Sequence, residues 1–234
     1  MVRKKILTIV AVVLFAGSEL YAGPVDKIFT SSGQILPGEQ WNMVSIYDTL
    51  PNHTTVDMTG GIVNEIACFD ASALNVLAGQ IGSNLTASEQ STINIYGGSL
   101  DHMSSYDIST INLSGNSTVY SISALRTSIF NMYGGTTTYL GAVDSSVLNL
   151  HGGAIINYLN VIDSSMVNVF GYNLVKTSTG GTYGYGQVTG FWQNDLPFTI
   201  NLAGSGTYSR VNLIPEPSTI FLLSLGIFCI RKRN

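Results

Sequence analysis

A short pattern, clearest at Ser91-Thr-Ile-Asn-Ile-Tyr-Gly-Gly98, returns along this chain at an almost fixed distance, and that recurrence restricts the fold more than any other feature. With Asn94 as the marker, the equivalent positions are Asp57, Asn75, Asn112, Asn131, Asn149 and Asn168, at spacings that alternate between 18 and 19 residues. Every marker stands between two apolar residues, from Val56 and Met58 in the first unit to Val167 and Val169 in the last. That alternation belongs to a strand with one buried face, so the marker faces outward. Three positions after it comes Gly60, Gly97, Gly115, Gly134, Gly152 or Gly171, as at a sharp backbone turn; only the Asn75 unit departs, with Ala78 and then Gly79.

Upstream of the marker the units also agree. From the Asn75 unit onward a serine lies three positions before it (Ser72, Ser91, Ser109, Ser128, Ser146, Ser165). Five positions before it lies Asp70, Glu89, Asp107, Arg126, Asp144 or Asp163. A repeat of this length with short strands and no helical period predicts an all-β parallel β-helix, or β-solenoid, of 18–19 residues per coil. Neighbouring coils complete each other's hydrogen bonds and core. The missing six-residue period of left-handed hexapeptide helices favours the right-handed form. At about 4.8 Å per coil, the seven units predict a rod roughly 30 Å long whose residue types run in columns along the surface.

Segments outside the repeat divide the 234 residues further. Residues 1–22 hold Arg3-Lys4-Lys5, an apolar run from Ile6 to Ala16 and a polar end at Ala22, the layout of a secretory signal helix cleaved near Ala22. The body is expected over 23–213, with an N-terminal cap at 23–53 containing the weak echo Trp41-Asn42-Met43, regular coils over 54–170, and an insertion with a final coil over 171–213. The next repeat match is read at Ile200-Asn201-Leu202-Ala203-Gly204, 33 residues after Asn168. Residues 214–234 form a tail: a proline-stiffened linker, an apolar helix from Thr219 to Ile230 and a basic stop. Twelve helical residues reach about 18 Å, short of the ~30 Å hydrocarbon core, so this helix makes a poor permanent anchor. The basic stop would stay cytoplasmic and leave the body outside.

Composition narrows function. Between residues 24 and 214 there are four basic residues (Lys27, Arg126, Lys176, Arg210) against twelve acidic ones, a net charge near −8 that argues against nucleic acid as a partner. Cys68 and Cys229 offer no disulfide framework and no cysteine zinc site. His53, His102 and His151 share no column, which leaves a histidine metal site or a catalytic triad without support, and no cofactor is expected.

The columns carry the remaining candidates. Stacked marker amides are expected to bond along the rod, and the serines to bond backbone at a bend. Five carboxylates in register repel, and Arg126, between Asp107 and Asp144, is placed to relieve them. Asp144 and Asp163 lack an intervening cation, so they are the pair to consider for Ca²⁺ or for a polysaccharide hydrolase or lyase. Against an enzyme, the pair belongs to a repeated column where an active site should interrupt the repeat. Two positions after the marker, Tyr96, Tyr133, His151 and Phe170 form a part-aromatic stripe. Tyr96, Tyr133 and Phe170, with Trp192 and its neighbours Tyr183, Tyr185 and Phe191 in the insertion, are the candidate contacts for a carbohydrate ligand. Mutual stacking that stiffens the coils is the competing reading.

The tail resembles the PEP-CTERM sorting signal of bacterial surface proteins. Pro215, Glu216, Pro217, Ser218 and Thr219, the apolar run, and Arg231, Lys232 and Arg233 supply its three parts in order. The resemblance covers about 20 residues and implies recognition by a membrane-embedded exosortase, transient anchoring in the inner membrane, and delivery to the cell surface, often in bacteria that make extracellular polysaccharide. The expected function is a non-catalytic structural or adhesive surface or biofilm protein, with a polysaccharide-active enzyme and a carbohydrate-binding module as alternatives.

Overall fold

The computed structural model describes residues 24–216 apart from 50 and 52; the expected signal helix and the tail from Pro217 onward, with the expected apolar helix and Arg231, Lys232 and Arg233, lie outside the described residues. Each regular coil consists of a four-residue strand, a glycine turn, a strand of seven or eight residues and a tight turn, as in Thr92–Ile95, Ser99–Ser105 and then Thr110–Leu113. Short strands stack only on short strands and long only on long, all parallel. The result is a two-sheet β-solenoid, with nine strands in each stack from Val25–Phe29 to Val211–Pro215.

Register follows the marker. Asp57, Asn75, Asn94, Asn112, Asn131, Asn149 and Asn168 are successive partners. Their apolar flanks are 0–1 % exposed, from Val56 and Met58 to Val167 and Val169. The long strand adds three inward columns, aligned as Val63/Ile81/Leu100, Ile66/Leu85/Met103 and Cys68/Ala87/Ser105. The third column stays small because it adjoins the tight turn, where Ser72, Ser91, Ser109, Ser128, Ser146 and Ser165 are all buried. Burial is affordable for these hydroxyls because each is bonded: Ser72 donates to Ile46 O at 3.3 Å, Ser109 to Ala87 O at 3.2 Å and Ser146 to Ala124 O at 3.0 Å, each in the preceding coil. Cys68 is in the same small column, and burial pushes its thiol far above the ordinary range, so it is an inert core group.

The alternation of 18 and 19 has a local cause that changes from coil to coil. The extra residue is a bulge in Gln80–Ala87, a four-residue turn between Leu113 and Thr118, and a bulge in Ala154–Val161. The paired glycines also have separate reasons. A Cβ on Gly152 would stand 2.5 Å from Tyr133 O in the coil beneath, whereas Gly153 adopts φ +87°, a left-handed conformation that costs a side chain dearly.

Both ends differ from expectation. The region expected as a cap is already coil: Gly33–Ile35 pairs with Val56–Met58, which puts Gln34 in the marker column, and Trp41-Asn42-Met43 lies in the other sheet. At the far end the marker after Asn168 is Asn212, not Asn201. Residues Met166–Thr177 run out of the sheet and pair antiparallel with Gln187–Phe191, which pairs in turn with Pro197–Ala203. The insertion is therefore a β-hairpin arm, and Leu202 returns to the long-strand sheet opposite Leu159. The four-residue helix Thr207–Arg210 then replaces the tight turn, held by Lys176 Nζ on Tyr208 O at 2.9 Å. The last strand continues to Pro215, so Ile214 and Pro215 belong to the body and not to a linker.

The marker column forms a one-way chain of hydrogen bonds. Asn75 Nδ2 donates to Asp57 Oδ1 at 2.8 Å, and each later amide donates to the one before it, through Asn94, Asn112, Asn131, Asn149 and Asn168 at 2.8–2.9 Å, ending with Asn212 at 3.2 Å. The first rung only accepts, which is why an aspartate serves there. Asp57→Asn is therefore expected to change stability by less than about 0.5 kcal/mol. Asn112→Asp sets an acceptor against Asn94 Oδ1 and is expected to cost about 1–3 kcal/mol. Denaturant unfolding of the two variants checks the difference, and equal effects would contradict a directional ladder.

Candidate functional site: the surface columns

The tight turns place Asp70, Glu89, Asp107, Arg126, Asp144 and Asp163 in one exposed column, each at φ between +54° and +64°. Asp tolerates this conformation better than most residues, while Glu and Arg do so at a cost. The conformation turns the backbone N–H along the rod, and the carboxylate of the next coil accepts it. Asp70 N donates to Glu89 at 2.6 Å, Glu89 N to Asp107 at 3.3 Å, Arg126 N to Asp144 at 3.0 Å and Asp144 N to Asp163 at 3.4 Å. Repulsion in the column is thus relieved mainly by backbone amides. Arg126 is the one rung whose side chain cannot accept the N–H below it; instead its guanidinium reaches down to the Asp107 carboxylate and holds that group below its usual range. It meets both neighbours, Asp107 through its side chain and Asp144 through its backbone.

Asp144 and Asp163 are two rungs of this ladder, exposed on the turn and committed to amides like the others. No group of three His, Cys, Asp or Glu side chains among the described residues is placed to hold a metal ion.

The stripe beside the glycine turn is stacked upon itself. Tyr133 and His151 lie 5.0 Å apart and His151 and Phe170 4.0 Å apart, both pairs at 14°. Ring faces that meet each other leave mainly edges for solvent. Tyr133 remains 54 % exposed and Tyr96 50 %, with Ser114 between them in the column. Trp192 is 5 % exposed, stacked on Phe198 at 3.8 Å, with its Nε1 donating to Gly153 O at 3.1 Å. It anchors the hairpin beside a small cleft of about 170 Å³ that it lines together with Met132, Leu150, Ile155, Phe198 and Thr199, and is itself largely buried.

Glu216, from the tail motif, completes this stripe. Its N–H donates to Gly171 O at 2.9 Å and its carboxylate lies 3.9 Å from His151 Nδ1, with one carboxylate oxygen buried and unbonded. Burial pushes the His151 imidazole below its ordinary value, while Glu216 pulls it the other way.

Sequence columns missed one further feature. On the outer face of the long-strand sheet, His102, Tyr120, Tyr139 and Tyr158 make successive ring contacts, and Tyr183 of the insertion adds a fifth ring. His102, Tyr120 and Tyr139 each stand eight residues after their marker, so fixed spacing could have found them; only Tyr158, nine after Asn149 because of the bulge in Ala154–Val161, and Tyr183 of the insertion fall out of count.

Fold and columns define a two-sheet parallel β-solenoid whose surface is organised by repeated ladders. Comparison of the chain with protein families, with curated proteins and with solved structures finds no match. No helix among the described residues is long and apolar enough to cross a membrane.

Two outcomes are expected. Asp107 has a lowered folded value, so its contribution is present above the unfolded carboxylate value near 3.9 and is lost as pH falls through the folded one. The stability advantage of the parent over Arg126→Ala should therefore be greatest near neutral pH and low salt, and should shrink in acid and in high salt; an advantage independent of both would contradict the ion pair. His151 should titrate below about 6.5, and Glu216→Gln, by removing the raising influence, should lower that midpoint further. NMR of the ring protons reads this directly, and a midpoint that stays or rises in the variant would place Glu216 elsewhere.

Proposed function

We propose that this chain is a secreted, non-catalytic structural or adhesive element of a bacterial cell envelope or extracellular matrix, sorted through its C-terminal tail by an exosortase-type membrane protease. The observation that carries the reading is the continuity of the columns. The amide ladder runs from Asp57 to Asn212, and the charged ladder from Asp70 to Asp163 with the Arg126 side chain bridging to Asp107; the open cleft at the N-terminal end of the charged column, lined by Asp48, His53, Asp70 and Glu89, interrupts neither run of contacts. A catalytic site needs side chains in unlike environments so that acid and base are pushed apart, whereas a rod needs the same contact repeated. The carboxylates of Asp144 and Asp163 make the same kind of contact, each accepting one backbone N–H from the coil before it.

The tail supports delivery to the surface. Its Pro215 and Glu216 leave from the last coil, which would put the rod's C-terminal end at the membrane and project the rest of the body outward. Pro215 suits that place, since a residue without an N–H is tolerated at the end of an edge strand.

Replacement of Pro215, Glu216 and Pro217 by alanine in a bacterium carrying an exosortase tests the sorting. The parent should appear in the outer-surface or medium fraction and the variant should stay with the inner membrane; identical fractionation would overturn the tail's role. The catalytic alternative is tested separately by incubating the protein with acidic and neutral polysaccharides. No new chain ends are expected, and cleavage abolished by Asp144→Asn or Asp163→Asn would make this an enzyme.

A further inference from the structure

The line of rings lies on the outer face of the long-strand sheet and serves neither the core nor the ladders. His102 and Tyr120 are 5.8 Å apart, Tyr120 and Tyr139 5.3 Å, Tyr139 and Tyr158 5.0 Å, and Tyr158 and Tyr183 5.2 Å, measured between ring centres. The neighbours are steeply inclined, at 54–85°, so faces and edges alternate along the rod. Tyr120 is 49 % exposed and Tyr183 39 %, and Tyr139 and Tyr158 are half-buried.

Coil stacking by itself explains the first four rings, because neighbouring coils bring aromatic side chains within contact. It does not explain Tyr183. That residue comes from the exposed loop between Thr177 and Gln187, whose Gly180, Gly181, Gly184 and Gly186 all take positive φ, and the loop lays its ring on Tyr158. A separate segment thus extends the strip along the same line.

Charge selects the ligand. Every basic side chain of the described body is already committed: Lys27 to Glu39 and the Phe29 and Trp41 rings, Arg126 to Asp107, Lys176 to backbone carbonyls, and Arg210 to Asp163 O. Asp101, beside His102 at 3.4 Å, is the charge that adjoins the strip. An anionic polymer would meet no free cation and one carboxylate. Neutral sugars need none, since their C–H faces pack on aromatic rings and their hydroxyls bond phenol oxygens. One ring per coil also repeats at about the length of one pyranose unit in an extended chain.

We propose that His102, Tyr120, Tyr139, Tyr158 and Tyr183 form a binding strip for a neutral, extended polysaccharide laid along the rod axis. This deepens the reading of the chain as an extracellular rod and rests on it for its setting, but the binding assay uses neither secretion nor the tail, so either idea can fail alone.

The test is co-sedimentation of the full chain, in a detergent without sugar groups, with insoluble β-1,4-glucan and β-1,4-mannan and with alginate beads, at low and high salt. Retention on at least one neutral polymer, insensitive to salt, is expected, and the double variant Tyr120→Ala/Tyr183→Ala should weaken it about tenfold or more. Both replaced side chains are exposed, so the variant should keep the parent's circular dichroism; Tyr133→Ala, in the glycine turn outside the strip, should bind as the parent does. No retention on either neutral polymer, retention on alginate alone, or equal binding by the double variant would overturn the proposal.

Discussion

A single coil of this protein cannot exist alone, and that constraint shapes everything else. Its strands place their N–H and C=O groups along the rod, where only another coil can meet them, and its five inward side chains cover one thin layer of core. Parallel stacking in strict register satisfies both needs, and it forces each residue type to meet its own kind one coil away. Outward positions must then be compatible with themselves. Asparagine is, because one amide both donates and accepts. Carboxylate is not, and the chain deals with it by turning a backbone N–H toward Glu89, Asp107, Asp144 and Asp163 and by inserting a single arginine in the middle of the column.

This explains what could be read from the sequence and what could not. The fold was legible because the demand for self-compatibility writes the same residue at the same place in every coil: asparagine, serine, glycine and the paired apolar flanks. Features that depend on a local change of count were hidden. Gln34 and Asn212 sit in the marker column, yet the first is separated from Asp57 by a longer loop and the second from Asn168 by the hairpin arm. The aromatic strip keeps one offset from the marker through His102, Tyr120 and Tyr139 and loses it only at Tyr158, past a bulge, and at Tyr183. The relief of the charged column depends on positive φ at Glu89 and Arg126, residue types that do not announce it.

The candidate contacts show the same division. The stripe through Tyr133, His151 and Phe170 was visible as a column, but only geometry shows that its rings spend their faces on one another. Trp192 looked like a loop aromatic and is instead the anchor of the hairpin. Glu216 read as part of a linker, yet it docks beside His151 and ties the start of the tail to the last coil. The last coil therefore extends through Glu216.

Register is the claim on which all of this stands, and paired cysteines measure it directly. Thr92 and Thr110 are partners in adjacent short strands, where a spacing of about 4.8 Å suits a disulfide. In a Cys229→Ser background, Thr92→Cys with Thr110→Cys should oxidise readily to an internal disulfide, while Thr92→Cys with Asn112→Cys should stay reduced under the same conditions. Oxidation of the second pair in preference to the first would mean that the coils are stacked in another register, and the ladders described above would not exist.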